Sequence, residues 1–215
     1  LEVSHRSEVF QNIVDSAMGG LRRVLGVPED YTVLFLQGGA SLQFYMTALN
    51  LLGEGEQADY LITGGWSEKA LKEAQRVGDA KSAWDPSEGE FKRVPKSGEY
   101  SIRQDAVYVH YTSNNTLYGT QYHHLPDSEG KPLILDASSD IAGVPIDISA
   151  HDVVYAGAQK NLGPSGVTVV ILSPWALSKV GREIPTMLDY SVHASKGSLF
   201  NTPNTFGRYV LDRVF

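Results

Sequence analysis

The chain has 215 residues, 42% of them hydrophobic and 20% charged, a composition that supports a packed core and excludes a mainly disordered chain. It has no cysteine, so disulfides, thiolate zinc sites, iron–sulfur clusters and a cysteine nucleophile are excluded as well. Eighteen basic side chains against twenty-five acidic ones leave a net charge of −7, so a general binder of nucleic acid or of anionic membranes is not expected and any bound anion needs a local site.

Leu1 to Ser7 carry Glu2, His5 and Arg6 without an apolar signal core, so no secretion signal is read and a cytoplasmic location is expected. The first residue is Leu rather than Met, and a fragment of a longer protein is expected. Val9, Ile13, Ala17, Leu21 and Val24/Leu25 recur at helical spacing over Glu8 to Leu25, and Gly26 with Pro28 ends that helix. Tyr31 to Leu36 reads as a strand running into Gly38-Gly39; Leu42, Tyr45/Met46, Leu49 and Leu52 then resume a helical period that Gly53 stops. Ala58 to Thr63 is a second strand, followed by Gly64-Gly65 and a helix from about Trp66 to Arg76. Lys81 to Trp84 is a third, and Asp85 to Tyr100, with Pro86, Gly89, Pro95 and Gly98, is a polar surface excursion. Ala106 to Tyr111, Pro132 to Leu135, Val153 to Tyr155 and Val167 to Leu172 are further strands, the last far too short to span a bilayer. From Arg182 onward the periodicity fades among Pro185, Gly197, Pro203 and Gly207, giving a long loop or the start of another unit. Strands alternating with helices, several apolar throughout, predict an α/β fold with a mostly parallel sheet covered on both faces.

Ligands of such sheets gather beyond the carboxyl ends of the strands, so the residues that follow each strand hold the candidates. Gly38-Gly39-Ala40-Ser41 joins strand to helix and suits an anion at the helix start, or is an ordinary turn capped by Ser41. It fits neither Gly-x-Gly-x-x-Gly nor the Walker A pattern. Asp136 ends Leu133-Ile134-Leu135 and either caps or pairs locally, or faces a cationic ring nitrogen. Lys160 follows an apolar strand and is either a solvated loop lysine or a partly desolvated amine nucleophile. Trp66 is a stacking plate or a core residue, and His5-Arg6 an anion grip or a surface pair. The six histidines show no His-Glu-x-x-His spacing, and His123-His124 would face apart on a strand, so no metal is expected.

Five segments in order, Ser4-His5-Arg6-Ser7, Gly38 to Ser41, His110 to Thr116, Tyr155 to Asn161 and Phe200-Asn201-Thr202-Pro203, resemble the phosphoserine aminotransferase family of fold-type-I pyridoxal-phosphate enzymes. The resemblance implies that residues 1–215 form the large pyridoxal-phosphate-binding domain, with the small C-terminal domain and a preceding segment of the family missing. It implies that Lys160 holds pyridoxal 5'-phosphate covalently and moves protons, that Asp136 faces the ring nitrogen and that Trp66 stacks on the ring. Ala40, Ser41 and Gln159 would hold the phosphate, and Thr116 would meet the ring hydroxyl. Asn201 and Thr202 would reach the cofactor of a second subunit in a homodimer with shared active sites, and His5 and Arg6 would contact substrate. The implied reaction passes an amino group between glutamate and 3-phosphohydroxypyruvate in serine biosynthesis, with a related phosphorylated hydroxythreonine step in vitamin B6 synthesis. Ser41 stands where some family members have Arg, and Asn204 replaces a frequent Pro. The arginine that clamps the substrate carboxylate in the family would lie beyond Phe215. A non-catalytic cofactor-binding or dimerisation module, and another fold-type-I transaminase, are the alternative readings.

Overall fold

The computed structural model describes residues 3–86, 91–179 and 183–215. Gly89, within the expected excursion, and Arg182, where the tail was expected to begin, lie outside the described residues. Helix α1 (Glu8–Leu25) precedes strand β1 (Thr32–Leu36), then α2 (Gly39–Leu51), β2 (Gln57–Leu61), α3 (Gly65–Ala74), β3 (Asp79–Trp84) and β4 (Ala106–Thr112). A small hairpin, β5 (Asn114–Asn115) and β6 (Thr120–Gln121), leads to β7 (Leu133–Asp136), β8 (Val153–Gly157) and β9 (Thr168–Leu172). Three helices close the chain: α4 (Pro174–Lys179), α5 (Tyr190–Ser195) and α6 (Thr205–Val214).

Seven strands form one sheet in the order β1-β9-β8-β7-β4-β2-β3. The pairs from β8 through β7, β4 and β2 to β3 are parallel, whereas β9 runs antiparallel to both β8 and β1. The sheet is therefore mixed and mostly parallel. Strands β7, β8 and β9 are buried along their whole length, as strands covered on both faces must be. One face packs on α1 and α6 through Phe10, Val14, Leu21 and Leu211; the other packs on α2, α3 and α4 through Phe44, Leu51, Ala70 and Ala176.

Ser7 caps α1 by accepting from the amide of Phe10 at 3.2 Å, and Gly26 closes it in the left-handed conformation (φ 63°) that a side chain disfavours. The core stripe of α1 is Phe10, Val14, Ala17 and Leu21, not the expected set beginning at Val9: Val9 and Val24 are 58% and 53% exposed. Two apolar stripes overlap on this helix, and the one carrying the aromatic ring buries more area. The tail is not a loop. Asn204 caps α6 by accepting from the amide of Gly207 at 2.8 Å.

Candidate functional site

The carboxyl ends of β4, β7 and β8, together with the starts of α2 and α3, enclose a cavity of about 140 Å³. Helix α2 supplies Ala40, Ser41 and Phe44, and α3 supplies Trp66. Thr112 and Asn114 come from the end of β4 and from β5, Asp136 and Ser138 from the end of β7, and Gln159 and Lys160 from the loop after β8. Six predicted site residues, Ala40, Ser41, Trp66, Asp136, Gln159 and Lys160, thus meet in one place.

The start of α2 is an open anion-binding end. Gly38 holds the cap position at φ 91°, no side chain caps the helix, and no acidic residue lies in its first turn. Ser41 is therefore not the cap, and the first amides of a 13-residue helix point at the cavity with the positive end of the helix dipole.

Asp136 is buried, 3% exposed. Its Oδ1 accepts from the amide of Ser138 at 3.0 Å and from the Ser138 hydroxyl at 2.6 Å, while Oδ2 has no partner among the described residues. Burial pushes its pKa up to about 6, against the pull of the Ser138 hydrogen bonds and of the Lys160 cation; Asp140 pushes the same way as burial. Beside it in the sheet register stand Thr112 on β4 and Tyr155 on β8. The Thr112 hydroxyl is buried without a partner, and Tyr155 is hydrogen-bonded to the ring of His110 at 2.8 Å.

Trp66 is 36% exposed, so it is not a core residue. Its amide donates to Asn115 Oδ1 at 3.2 Å, and the Lys69 ammonium sits 4.5 Å from its ring centroid. Asn115 also donates to the Thr63 hydroxyl at 2.8 Å, tying the hairpin to the loop that launches α3. Gly64 makes that junction possible, because a Cβ there would stand 2.5 Å from Asn115 Cβ.

Lys160 stands exposed in this cavity, and the remaining expected site residues lie outside its wall. Lys160 lines the cavity but its side chain is exposed, so the loop after β8 lifts it away from the apolar strand expected to desolvate it. Thr116 is exposed on the hairpin turn and is not in the cavity wall; the threonine there is Thr112, still on the ladder of β4. His5 and Arg6 do not join Lys160 within this chain but line a separate cavity with Gln11 and Leu199. Asn201 lines yet another, and Thr202 is exposed, its carbonyl accepting from Gln37 Nε2 at 3.1 Å. Thr112 and Ser138 went unremarked in the sequence, although both lie in strand-end segments that pointed to the site. Among the described residues no group of three or more His, Asp or Glu is placed to hold a metal, and no helix is long and apolar enough to cross a membrane.

The family model for class-V aminotransferases matches residues 2–215. Phosphoserine aminotransferase of Halalkalibacterium halodurans is 51% identical over 214 residues, and that of Lysinibacillus sphaericus 49%; each match covers the whole of this chain and 59% of the relative. Among solved structures, phosphoserine aminotransferase from Bacillus circulans subsp. alkalophilus superposes with a TM-score of 0.94 at 45% identity, covering 99% of this chain and 59% of that one. A pyridoxal-phosphate-bound phosphoserine aminotransferase from Trichomonas vaginalis superposes with a TM-score of 0.91 at 35% identity, covering 99% of this chain and 64% of that one. The chain thus spans about three fifths of the length of these relatives.

Proposed function

The chain belongs to the class-V aminotransferase family, and on that premise we propose that it is the large, cofactor-holding domain of a phosphoserine aminotransferase, acting on glutamate and 3-phosphohydroxypyruvate with pyridoxal 5'-phosphate. The observation that carries this reading is the convergence of Lys160, Asp136 and the uncapped start of α2 on one cavity.

The residues present fit the cofactor. At the cavity wall, Asp136 Oδ2 has no hydrogen-bond partner among the described residues, and the Thr112 hydroxyl is buried without one among them. An amine, a carboxylate and a set of free amides are the donors and acceptors that a phosphorylated, cationic pyridine ring with an aldehyde requires. Lys160 would hold it covalently, the α2 amides with Ser41 and Gln159 would hold the phosphate, and Trp66 would form one wall against the ring. When bound, the cofactor supplies the carbonyl that takes up the amino group and the ring that withdraws electrons from the substrate α-carbon.

The chain's own groups do the rest. The Asp136 carboxylate keeps a proton on the ring nitrogen; with Oδ1 fixed by Ser138, Oδ2 is the oxygen left to do so. The Lys160 amine, when not holding the cofactor, would serve as base and acid beside the substrate α-carbon, and its exposed position leaves it room for both duties. Among the described residues Lys160 is the one cation in the cavity wall, and His5 and Arg6 lie elsewhere on the same chain. This arrangement supports a homodimer in which a second copy brings His5, Arg6, Asn201 and Thr202 to the site. It also favours a second reading, in which the 215-residue chain alone binds cofactor without turning over substrate. A cytoplasmic location and a role in serine and pyridoxine biosynthesis accompany the first reading.

Addition of pyridoxal phosphate to the purified chain should produce a visible absorbance band. Borohydride should then fix the cofactor on the peptide carrying Lys160, and Lys160→Ala should show neither effect. A chain that stays colourless, or that is modified on another lysine, would refute the assignment. Turnover of glutamate with 3-phosphohydroxypyruvate by the chain itself separates the two readings.

A further inference from the structure

We infer, resting on the cofactor assignment above, that Ser138 is a positioning residue: its hydroxyl turns the Asp136 carboxylate so that Oδ2 faces the Lys160 cavity, and ties that orientation to the strand end that carries Gln159 and Lys160.

The backbone ladder between β7 and β8 reaches its last rung where the Ala137 amide donates to the carbonyl of Tyr155 at 2.9 Å. Beyond it the Gly157 amide donates to a side chain, the Ser138 hydroxyl, at 3.2 Å. That hydroxyl donates in turn to Asp136 Oδ1 at 2.6 Å, and the Ser138 amide donates to the same oxygen at 3.0 Å. A hydroxyl that accepts from an amide is a better donor, because each bond in such a chain polarises the next. A Cβ on Gly157 would stand 2.4 Å from Gln159 Oε1, so the side chain next to Lys160 lies folded back over this strand end. One hydroxyl thus joins the carboxylate to the chain segment that carries the amine.

The same Asp-x-Ser turn occurs twice more with a simpler role. Asp147 and Asp189 accept from the amides and hydroxyls of Ser149 and Ser191, and there the acid caps a short helix, Ile148–Ala150 and α5. Of the three serines, Ser138 alone also accepts from the amide of a neighbouring strand, and of the three acids Asp136 alone is buried.

Few charged groups face Asp136. Burial pushes its pKa up to about 6; the Ser138 bonds and the Lys160 cation hold it down, and Asp140 pushes it up. Tyr155 beside it on β8 stays un-ionised, and His110, bonded to Tyr155 from β4, is kept neutral by burial. Helices α2 and α3 bring only Ala40, Ser41, Phe44 and Trp66 to the cavity wall. Loss of the Ser138 hydroxyl would destabilise the anion rather than the neutral acid, raising the folded-state pKa further. The resulting loss of stability is present above about pH 6 and fades below the ordinary carboxylate range.

Urea unfolding of the cofactor-free 215-residue chain at pH 8 and pH 4, with a pyridoxal phosphate titration at pH 8, tests the role of Ser138. Ser138→Ala should lower the urea midpoint at pH 8 and clearly less at pH 4, and should weaken cofactor binding roughly tenfold. Placed in an Asp136→Asn chain, the same change should act equally at both pH values. Because Ser138→Ala also frees the Gly157 amide, Ser138→Thr is the independent check: it keeps the hydroxyl and should match the parent in midpoint and in binding. Ser191→Ala, in one of the other Asp-x-Ser turns, should leave cofactor binding unchanged. A midpoint loss in Ser138→Ala that is equal at pH 8 and pH 4, cofactor binding unchanged by Ser138→Ala, binding weakened tenfold in Ser138→Thr, or an equal weakening in Ser191→Ala would each overturn the inference. A parent chain that binds no cofactor would refute the functional reading instead, while the pH dependence of the cofactor-free midpoints still decides whether Ser138 holds Asp136.

Discussion

Asp136 shows at residue scale how the candidate site holds energy in reserve. A carboxyl whose pKa is raised to about 6 binds its proton more tightly folded than unfolded. Its contribution to stability is therefore complete below the ordinary carboxylate range and is lost as pH rises through about 6. At pH 8 the cofactor-free chain carries the whole penalty, on the order of 1–3 kcal/mol. Asp136→Asn, which can still accept from Ser138, should be more stable than the parent in urea unfolding at pH 8, with the difference fading below about pH 4. The same variant should bind pyridoxal phosphate more weakly. Equal urea midpoints at pH 8 would show that the carboxylate is not penalised. Asp136 was legible from sequence as a polar residue at the tip of an all-apolar strand, where a local cap or a ligand contact were both open. Lys160 was legible for the same reason, but the choice between a solvated and a partly desolvated amine was not, since the path of the loop after β8 depends on packing that a strand pattern does not encode. Thr112 and Thr116 are four residues apart in one polar run, and only the extent of β4 decides which reaches the cavity.

At the scale of elements, the start of α3 depends on a close approach. Gly64 lies against Asn115, whose side chain serves both the Trp66 amide and the Thr63 hydroxyl. A methyl group there would force the hairpin away from the helix. Gly64→Ala should lower stability by about 1–3 kcal/mol and, by shifting Trp66, weaken cofactor binding; thermal melts and a cofactor titration check both effects. An unchanged melt and titration would mean that the hairpin yields freely. The glycine pair was visible as a turn in the sequence, but its partner was not, because the two-residue strands of the hairpin are too short to leave a periodic signature. The same limit applied to α1, where helical spacing was clear and the choice between two apolar stripes was not.

At the scale of the whole molecule, the tail from Glu183 to Phe215 is part of the core. Tyr190 donates from its backbone to Asn50 at 3.0 Å and from its hydroxyl to Gln43 at 2.6 Å, locking α5 onto α2. Leu211 on α6 is fully buried in the cluster that includes Phe10 and Leu21 of α1. Leu211→Ala should cost about 2–5 kcal/mol, read as a drop in the urea midpoint; a shift within error would mean that α6 is only lightly docked. These helices were hidden in the sequence by neighbouring Pro and Gly and by their shortness, and the buried polar residues His193, Arg208 and Asp212 stand where an apolar repeat would have announced them.

The antiparallel docking of β9 between β1 and β8 sets a schedule for how this chain comes into being. Among the described residues Thr32 to Leu36 pair in the sheet with Thr168 to Leu172 alone, so the strand that launches α2 stays an orphan edge until β9 has been made. Before that moment the first amides of α2 and the Lys160 side chain have no common frame. Assembly of the cavity thus waits for β9, and a nascent chain halted before Thr168 should be unable to bind pyridoxal phosphate.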